Sequence, residues 1–290
     1  MISTGNGGPG PYAFVHIEKT AGRTVRAVLV RSFGTGHCEI RTPYSRREAG
    51  GPDHDVDVTA DDLRRVRRVY RQLKGIAGHN VKPHSDLADA CRGLRYFTFL
   101  RDPVARYLSH FKNRARAYTR DDFERWIGAV WTHDWQTKVL AGEPDADKAI
   151  DLLSSRVGFV GLTESFDASL LGLGQWLGLP GFRPEYRSVN RLDEKHRARD
   201  ADRSRADLSY LEEPEIRERL AAANANDLRL YEHVRREIFP RQLAAYRGDL
   251  DADTAALRQR NLQLRELREP LSSRVLRNVV YKPALLLRLA

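Results

Sequence analysis

Apolar and polar positions first settle into a pattern at residues 12–17, YAFVHI, a weakly alternating apolar run that predicts a strand. Residues 24–33, TVRAVLVRSF, then repeat their apolar positions at helical spacing. A second helix is expected over residues 59–74, with Thr59 as its cap, Asp62 three positions later, and Leu63, Val66, Tyr70 and Leu73 on one face. Its arginines form the wet side. GIAGHNV at 75–81 predicts a short strand and YFTFL at 96–100 a buried one. The next stretch, RDPVARYLSHFKNRARAY, predicts a helix capped by Asp102, opened by Pro103, and turned inward at Val104, Leu108 and Phe111. Strand, compact junction and helix occur twice, so the pattern points to an α/β sheet with helices on its faces.

Further along, residues 121–140 and 145–157 predict two helices with a turn between them, 158–162 an edge or inner strand, and 165–178 another helix. Residues 38–58 mix charges with turn formers and are expected to make a surface excursion. Residues 183–204 are polar and irregular, suited equally to a loop over a site and to a link. Helical periodicity returns over 214–239. The expected organisation is a flexible leader at 1–11, a main domain at 12–248, and a basic helical extension at 249–290. That extension alternates arginine with leucine or valine around Pro270 and Pro283. Terminal helices packed on the body or on another subunit explain this pattern; peripheral contact with anionic lipid is the other reading.

The 290 residues suffice for one substantial core. No apolar run reaches bilayer-spanning length and the start lacks a secretory signal, so a cytoplasmic protein is expected. Two cysteines, Cys38 and Cys91, suggest reduced thiols rather than a disulfide framework or a metal cluster. Basic residues exceed acidic ones by 49 to 39, and 41 of the basic residues are arginine, a skew expected of a GC-rich, bacterial genome. The charge favours an anionic partner.

Two junctions could hold such an anion. In HIEKTAGRTVRAVL, residues 16–29, a strand ends and a helix begins around Lys19 and Gly22. Amides at a helix start have no partner within the helix, and the helix dipole there favours negative charge. Lys19 adds an ammonium, Thr20 and Thr24 hydroxyls, and Gly22 close backbone approach; Arg23 could reach back or face solvent. A lysine-containing turn without a ligand fits as well. In FTFLRDPVARYLSHF, Arg101 precedes the capped helix and Ser109 lies two turns along, so a guanidinium and a hydroxyl could grip one phosphate. Taken alone, Arg101 as a salt-bridge donor and Ser109 as a surface residue suit the stretch better.

Together the two stretches resemble the Lys-Thr phosphosulfate loop and the Arg-to-Ser motif of sulfotransferases that use 3′-phosphoadenosine 5′-phosphosulfate (PAPS). The resemblance is nearest to the branch of heparan sulfate 2-O-sulfotransferase and related carbohydrate sulfotransferases. It extends through WQTKVLAG, FVGLTESFDASL and NANDLRLYEHVR and covers most of residues 12–239. Glu18 stands where the family usually has proline and Arg23 where it has threonine. The resemblance implies a P-loop-like central parallel sheet flanked by helices. It assigns Lys19, Thr20, Ala21, Gly22, Arg23 and Thr24 to the 5′-phosphosulfate loop, and Arg101 and Ser109 to the 3′-phosphate. No metal is required. The implied acceptor is a hydroxyl of a glycan, glycolipid or glycosylated small molecule; a phenol or other alcohol is the alternative.

Sulfuryl transfer to an alcohol needs an in-line acceptor oxygen, a base and positive charge near the bridging oxygen. Lys19 fits the electrostatic role. His16, His79, His84, His110 and His133 are candidates for the base. His79, in GIAGHNVKP, resembles the family's Gly-His element and takes the catalytic role by that resemblance, with His84 as nearest competitor. Glu164 matches a family acidic position, Arg187 and Asn190 could close over the nucleotide, and Trp126, Trp131, Trp135 and Trp176 could form a stacking platform or core. A phosphoryl transferase would need a Walker A or kinase signature, and a nucleic-acid binder an RNP, zinc-finger or helix-turn-helix signature; the chain has none of these.

Overall fold

The structure, a computed structural model, describes residues 9–41, 57–115, 118–187, 208–264 and 269–286. Most of the expected leader, most of the 38–58 excursion, and most of the 183–204 segment, with Asn190, lie outside the described residues.

Five strands form one parallel sheet: β1 (Tyr12–Val15), β2 (His37–Glu39), β3 (Gly75–Gly78), β4 (Arg95–Leu100) and β5 (Val157–Leu162), in the order β2-β3-β1-β4-β5. Every residue of β1 is buried, as expected for a parallel strand covered on both faces. Tyr12 and Phe14 face one layer with Phe97, Phe99 and Phe159, under helices α1 (Gly22–Phe33) and, later in the chain, Phe166–Leu177. Ala13 and Val15 face the other layer with Ile76, Leu100 and Val160. That layer is closed by α2 (Ala60–Val69) and by helices farther along the chain.

Local sequence explains the well-formed helix starts. Thr59 caps α2, accepting from the Asp62 amide, while the Asp62 carboxylate accepts the Thr59 amide at 3.0 Å. After the short α3 (Leu87–Ala90), helix α4 (Pro103–Arg114) is capped by Asp102, whose carboxylate accepts the Ala105 amide at 2.8 Å.

The helix expected over 59–74 ends at Val69, leaving Tyr70 and Leu73 beyond it, and three further expectations need correction. Residues 38–58 do not begin as surface: Cys38 and Glu39 belong to edge strand β2, and Cys38 and Ile40 are buried. The single helix expected over 121–140 is broken into α5 (Arg120–Ile127), a 3₁₀ turn (Val130–Thr132) and α6 (Trp135–Ala141). Asp134 causes the second start: it lies in the left-handed region at φ 46°, and its carboxylate accepts the amides of Asn226 and Asp227. The helix expected over 214–239 is likewise divided. After α7 (Ala146–Ser155) and α8 (Phe166–Leu177) come α9 (Pro214–Ala222) and α10 (Ala225–His233), joined at buried Asn224 and followed by a wider turn (Val234–Ile238) and α11 (Phe239–Ala244).

The terminal helices dock on the body. On α12 (Leu250–Gln263), Leu257 is buried, Arg258 pairs with Asp167 at 2.8 Å, and Asn261 accepts the Tyr186 amide at 2.8 Å. Helix α13 (Leu271–Val275) continues through wider turns at Leu276–Tyr281 into α14 (Lys282–Leu286). There Tyr281 is 1 % exposed, meets Tyr70 edge to face and accepts the Arg41 amide at 3.1 Å. Both cysteines are free and buried, with burial pushing each thiol pKa up.

Candidate active site

The chain moves from one side of β1 to the other after β3, because β3 and β4 flank β1. The carboxyl ends of these neighbouring strands therefore meet at a topological switch point, where open α/β sheets bind ligands. The register determines what meets there. Val15 lies opposite Gly78 on one side and Thr98 on the other. One residue farther, His16 stands beside His79, and the β4 exit brings in Arg101.

The imidazoles of His16 and His79 stack with centroids 4.0 Å apart, and the His79 Nδ1 lies 2.9 Å from the His16 carbonyl oxygen. A carbonyl only accepts, so Nδ1 carries the proton and Nε2 the lone pair when His79 is neutral. His16 is buried, and burial followed by the neighbouring His79 and Arg26 charges pushes its pKa well below the usual histidine range. His16 is thus a neutral shelf under the other ring. It also explains Gly22: a Cβ there would stand 1.9 Å from the His16 ring.

The loop from β1 to α1 is shaped for close backbone approach. Lys19 at φ 69° and Ala21 at φ 61° both occupy the left-handed region, with Thr20 between them outside it. Each such non-glycine conformation costs about 1–2 kcal/mol. Alternation of φ sign turns successive amides toward one concavity, the geometry of an anion-binding nest. The Thr20 hydroxyl donates to the Ile17 carbonyl at 2.9 Å and is fully buried, so this side chain braces the loop. Thr24 is buried in the first turn of α1, while Arg23 is exposed.

Cationic groups converge around this nest. Burial pushes the Lys19 pKa down first, Glu18 opposes that shift, and Arg23, Arg101 and Arg114 deepen it. The Arg101 guanidinium donates to the Lys19 carbonyl at 3.3 Å, tying the two junctions together. Ser109 lies two turns along α4 and is half-buried. Glu18 stands 3.6 Å from the His110 ring and 3.8 Å from Arg114.

Several supports are not evident in the two motifs. The Gln136 side chain accepts the Arg101 amide and donates to the Arg101 carbonyl, both at 3.0 Å. Glu164 accepts the Asp102 amide at 2.9 Å and the Tyr231 hydroxyl at 3.0 Å, which places it at the start of α4. Buried Asp227 accepts the Gln136 and Thr137 amides and so holds the helix that carries Gln136. The WQTKVLAG and NANDLRLYEHVR stretches were the available signal for Gln136 and Asp227.

The other candidates have different surroundings. His84 has Nδ1 at 3.0 Å from the Leu140 carbonyl and Nε2 at 3.3 Å from Asp57, and that carboxylate raises its pKa. Both ring nitrogens thus face acceptors, an arrangement that favours the cation over a base. His133 is bonded to the Ile127 carbonyl at 2.8 Å. His110 is buried beside Trp126, Trp131 and Trp135. Of the four tryptophans, Trp126 is buried and Trp131 is 53 % exposed, while Trp176 packs under Arg95 on the opposite sheet layer. Arg187 is exposed at the edge of the described chain.

A comparison with curated proteins finds no match. A profile of the sulfotransferase family matches residues 12–233, which include the β1–α1 loop, His79, Arg101 and the Gln136 and Asp227 supports. With a five-stranded parallel sheet gathering a lysine loop, a histidine and an arginine at adjacent strand ends, the chain belongs to the sulfotransferase family.

Proposed function

We propose that this transferase moves the sulfuryl group of PAPS to a hydroxyl of a carbohydrate or glycosylated small molecule, such as a glycan or glycolipid. The observation that carries the reading is the meeting of Lys19, His79 and Arg101 at the ends of β1, β3 and β4. The residues fit the donor: a nest of amides and clustered cations suit a phosphosulfate, and Gly22 leaves no space for a side chain. PAPS supplies the sulfuryl group and departs as 3′,5′-phosphoadenosine.

His79 takes the acceptor proton at Nε2 as the acceptor oxygen bonds to sulfur. Lys19 stabilises the negative charge that develops on the bridging oxygen as its bond to sulfur breaks. Thr20, Ala21, Gly22, Arg23 and Thr24 line the donor loop, with Thr20 acting through its backbone because its hydroxyl is committed to Ile17. Arg101 and Ser109 bind the 3′-phosphate. His79 is favoured over His84 because its Nδ1 bond leaves the lone pair on Nε2, whereas His84 is held by Asp57.

The test is to incubate the protein with PAPS labelled in its sulfuryl group and a panel of hydroxylated compounds, then identify labelled products by mass. Label on a sugar hydroxyl is expected. Label on phenols alone would move the acceptor class, and failure to bind 3′,5′-phosphoadenosine would overturn the donor assignment.

A further inference from the structure

Among the described residues, large apolar side chains with high exposure concentrate near the carboxyl terminus: Leu262, Leu271, Val275, Val279 and Val280, against only Val130 and Trp131 elsewhere. The terminal helix over residues 271–286 has two different faces. Ser273, Tyr281 and Leu285 are buried, and Arg277 is tied to Glu269 by paired bonds of 2.6 and 2.8 Å. These positions recur every fourth residue and anchor the helix. Leu271, Val275 and Val279 recur at the same interval on the outside, with exposures of 66, 46 and 65 %. A four-residue step overshoots one α-helical turn and undershoots the wider turn at 276–281, so the two drifts offset and each row stays on its face.

Residues 270–290 contain four basic residues, Arg274, Arg277, Lys282 and Arg288, and no aspartate or glutamate. Arg277 is taken up by Glu269 on the anchored row, which leaves Arg274 and Lys282, among the described residues, as the cations beside the outer row. Arg274 is exposed between Leu271 and Val275, and Lys282 is half-buried beyond Val280. Protein-facing helices already satisfy their apolar side against the body, as this one does through Tyr281 and Leu285. A second apolar row beside cations matches an interface with apolar depth and anionic headgroups.

We propose that the outer face of residues 271–282 docks the protein on an anionic lipid bilayer. Leu271, Val275, Val279 and Val280 enter the boundary between headgroups and acyl chains, while Arg274 and Lys282 meet the acidic headgroups. No helix among the described residues is long and apolar enough to cross a membrane, so the contact is interfacial. It is independent of the sulfuryl acceptor and would hold if the proposed transfer failed.

The test is co-sedimentation of the full chain with phosphatidylcholine vesicles, with and without phosphatidylserine. Binding is expected only with phosphatidylserine and should weaken as salt rises. The combined variant Leu271→Ser, Val275→Ser and Val279→Ser should lose binding by about tenfold or more, with its thermal midpoint near that of the parent. A second variant, Val279→Cys carrying an environment-sensitive dye, checks insertion directly, since Cys38 and Cys91 are buried. Its fluorescence should rise on phosphatidylserine vesicles. Unchanged fluorescence, equal sedimentation of parent and triple variant, or a parent dimer that the triple variant splits without vesicle binding would overturn the proposal.

Discussion

His16 and His79 lie face to face at 4.0 Å because parallel pairing of Val15 with Gly78 brings the next residues of both strands side by side. The backbone of one fixes the tautomer of the other, since the His16 carbonyl receives the His79 Nδ1 proton. His79→Ala should therefore preserve the fold and nucleotide binding while lowering transfer by roughly 10²–10⁴-fold, the scale of positioned acid–base catalysis. Single-turnover rates and separate nucleotide titrations check this. Near-parental transfer would remove His79 as the base, and loss of transfer in His84→Ala with binding intact would move that role to His84.

Gly22→Ala should damage both binding and rate. Its new Cβ would occupy the position of the His16 ring, forcing the loop, the stack or both to shift. Calorimetry with 3′,5′-phosphoadenosine and single-turnover assays should show paired losses, in contrast to the rate-selective His79→Ala. Parental behaviour would mean that the ring moves away without consequence.

Lys19→Ala and Arg101→Ala should divide the donor by its two ends. Lys19→Ala is expected to weaken PAPS binding and slow turnover together, because the proposed transfer puts its charge on the phosphosulfate side. Arg101→Ala should weaken PAPS and 3′,5′-phosphoadenosine but spare adenosine 5′-phosphosulfate, which lacks the 3′-phosphate. Calorimetry with the three nucleotides separates these patterns. An equal loss for all three in Arg101→Ala would defeat its selective assignment, although its bond to the Lys19 carbonyl predicts a small shared component.

Gln136 should act through Arg101. Gln136→Leu removes the acceptor and donor that hold the Arg101 amide and carbonyl, an expected cost of about 1–3 kcal/mol in stability for groups left unpaired. Nucleotides with a 3′-phosphate should bind more weakly than expected from that stability loss, whereas adenosine 5′-phosphosulfate should be spared. If urea unfolding changes and nucleotide selectivity does not, Gln136 supports the fold alone.

These contacts mark where the sequence ceased to be informative. The β1–α1 and β4–α4 junctions were legible because the apolar switch from strand to helix lies within a few positions at each, reinforced at the second by the Asp102 cap and Pro103. The Thr59–Asp62 capping box was local in the same way. Strand β2 was not legible: three residues, one of them Glu39, become a strand only through pairing with β3, over thirty positions away. The break near Asp134 depends on amides at 226 and 227, and the clamp on Arg101 comes from Gln136. Such groups require knowledge of which segments meet. The stacking of His16 on His79 follows from strand order and register, neither of which periodicity supplies.

Residues beyond about 256 lie outside both anion motifs, yet their packing shows what truncation would disturb. Tyr281 fills a buried position against Tyr70 and caps the Arg41 amide. Tyr281→Ala should lower stability by about 3 kcal/mol through lost packing and the unpaired amide. Urea unfolding measures the loss, while nucleotide affinity in the folded protein should stay close to parental. A large affinity change without a stability change would place the terminal segment in control of the donor site.

Stability should decline as pH falls below the usual histidine range. Burial lowers the pKa of His16, and that of His37 to about 3, so the unfolded chain binds protons that the folded chain excludes. His84 has the opposite sign: Asp57 raises its pKa, giving stability below its unfolded pKa that is lost as pH rises through the folded one. Two buried neutral rings against one paired cation leave acidification unfavourable. His37 alone should contribute a slope of about 1.4 kcal/mol per pH unit from its unfolded pKa near 6.5 down toward its folded value. His37→Gln keeps a polar partner for Tyr12, which bonds to His37 Nδ1 at 2.8 Å, and removes the titration. Urea midpoints at pH 7 and 5 should converge in this variant relative to the parent. Equal pH slopes in the two proteins would show that His37 is protonated without loss of its buried place, and would assign the acid sensitivity to other groups.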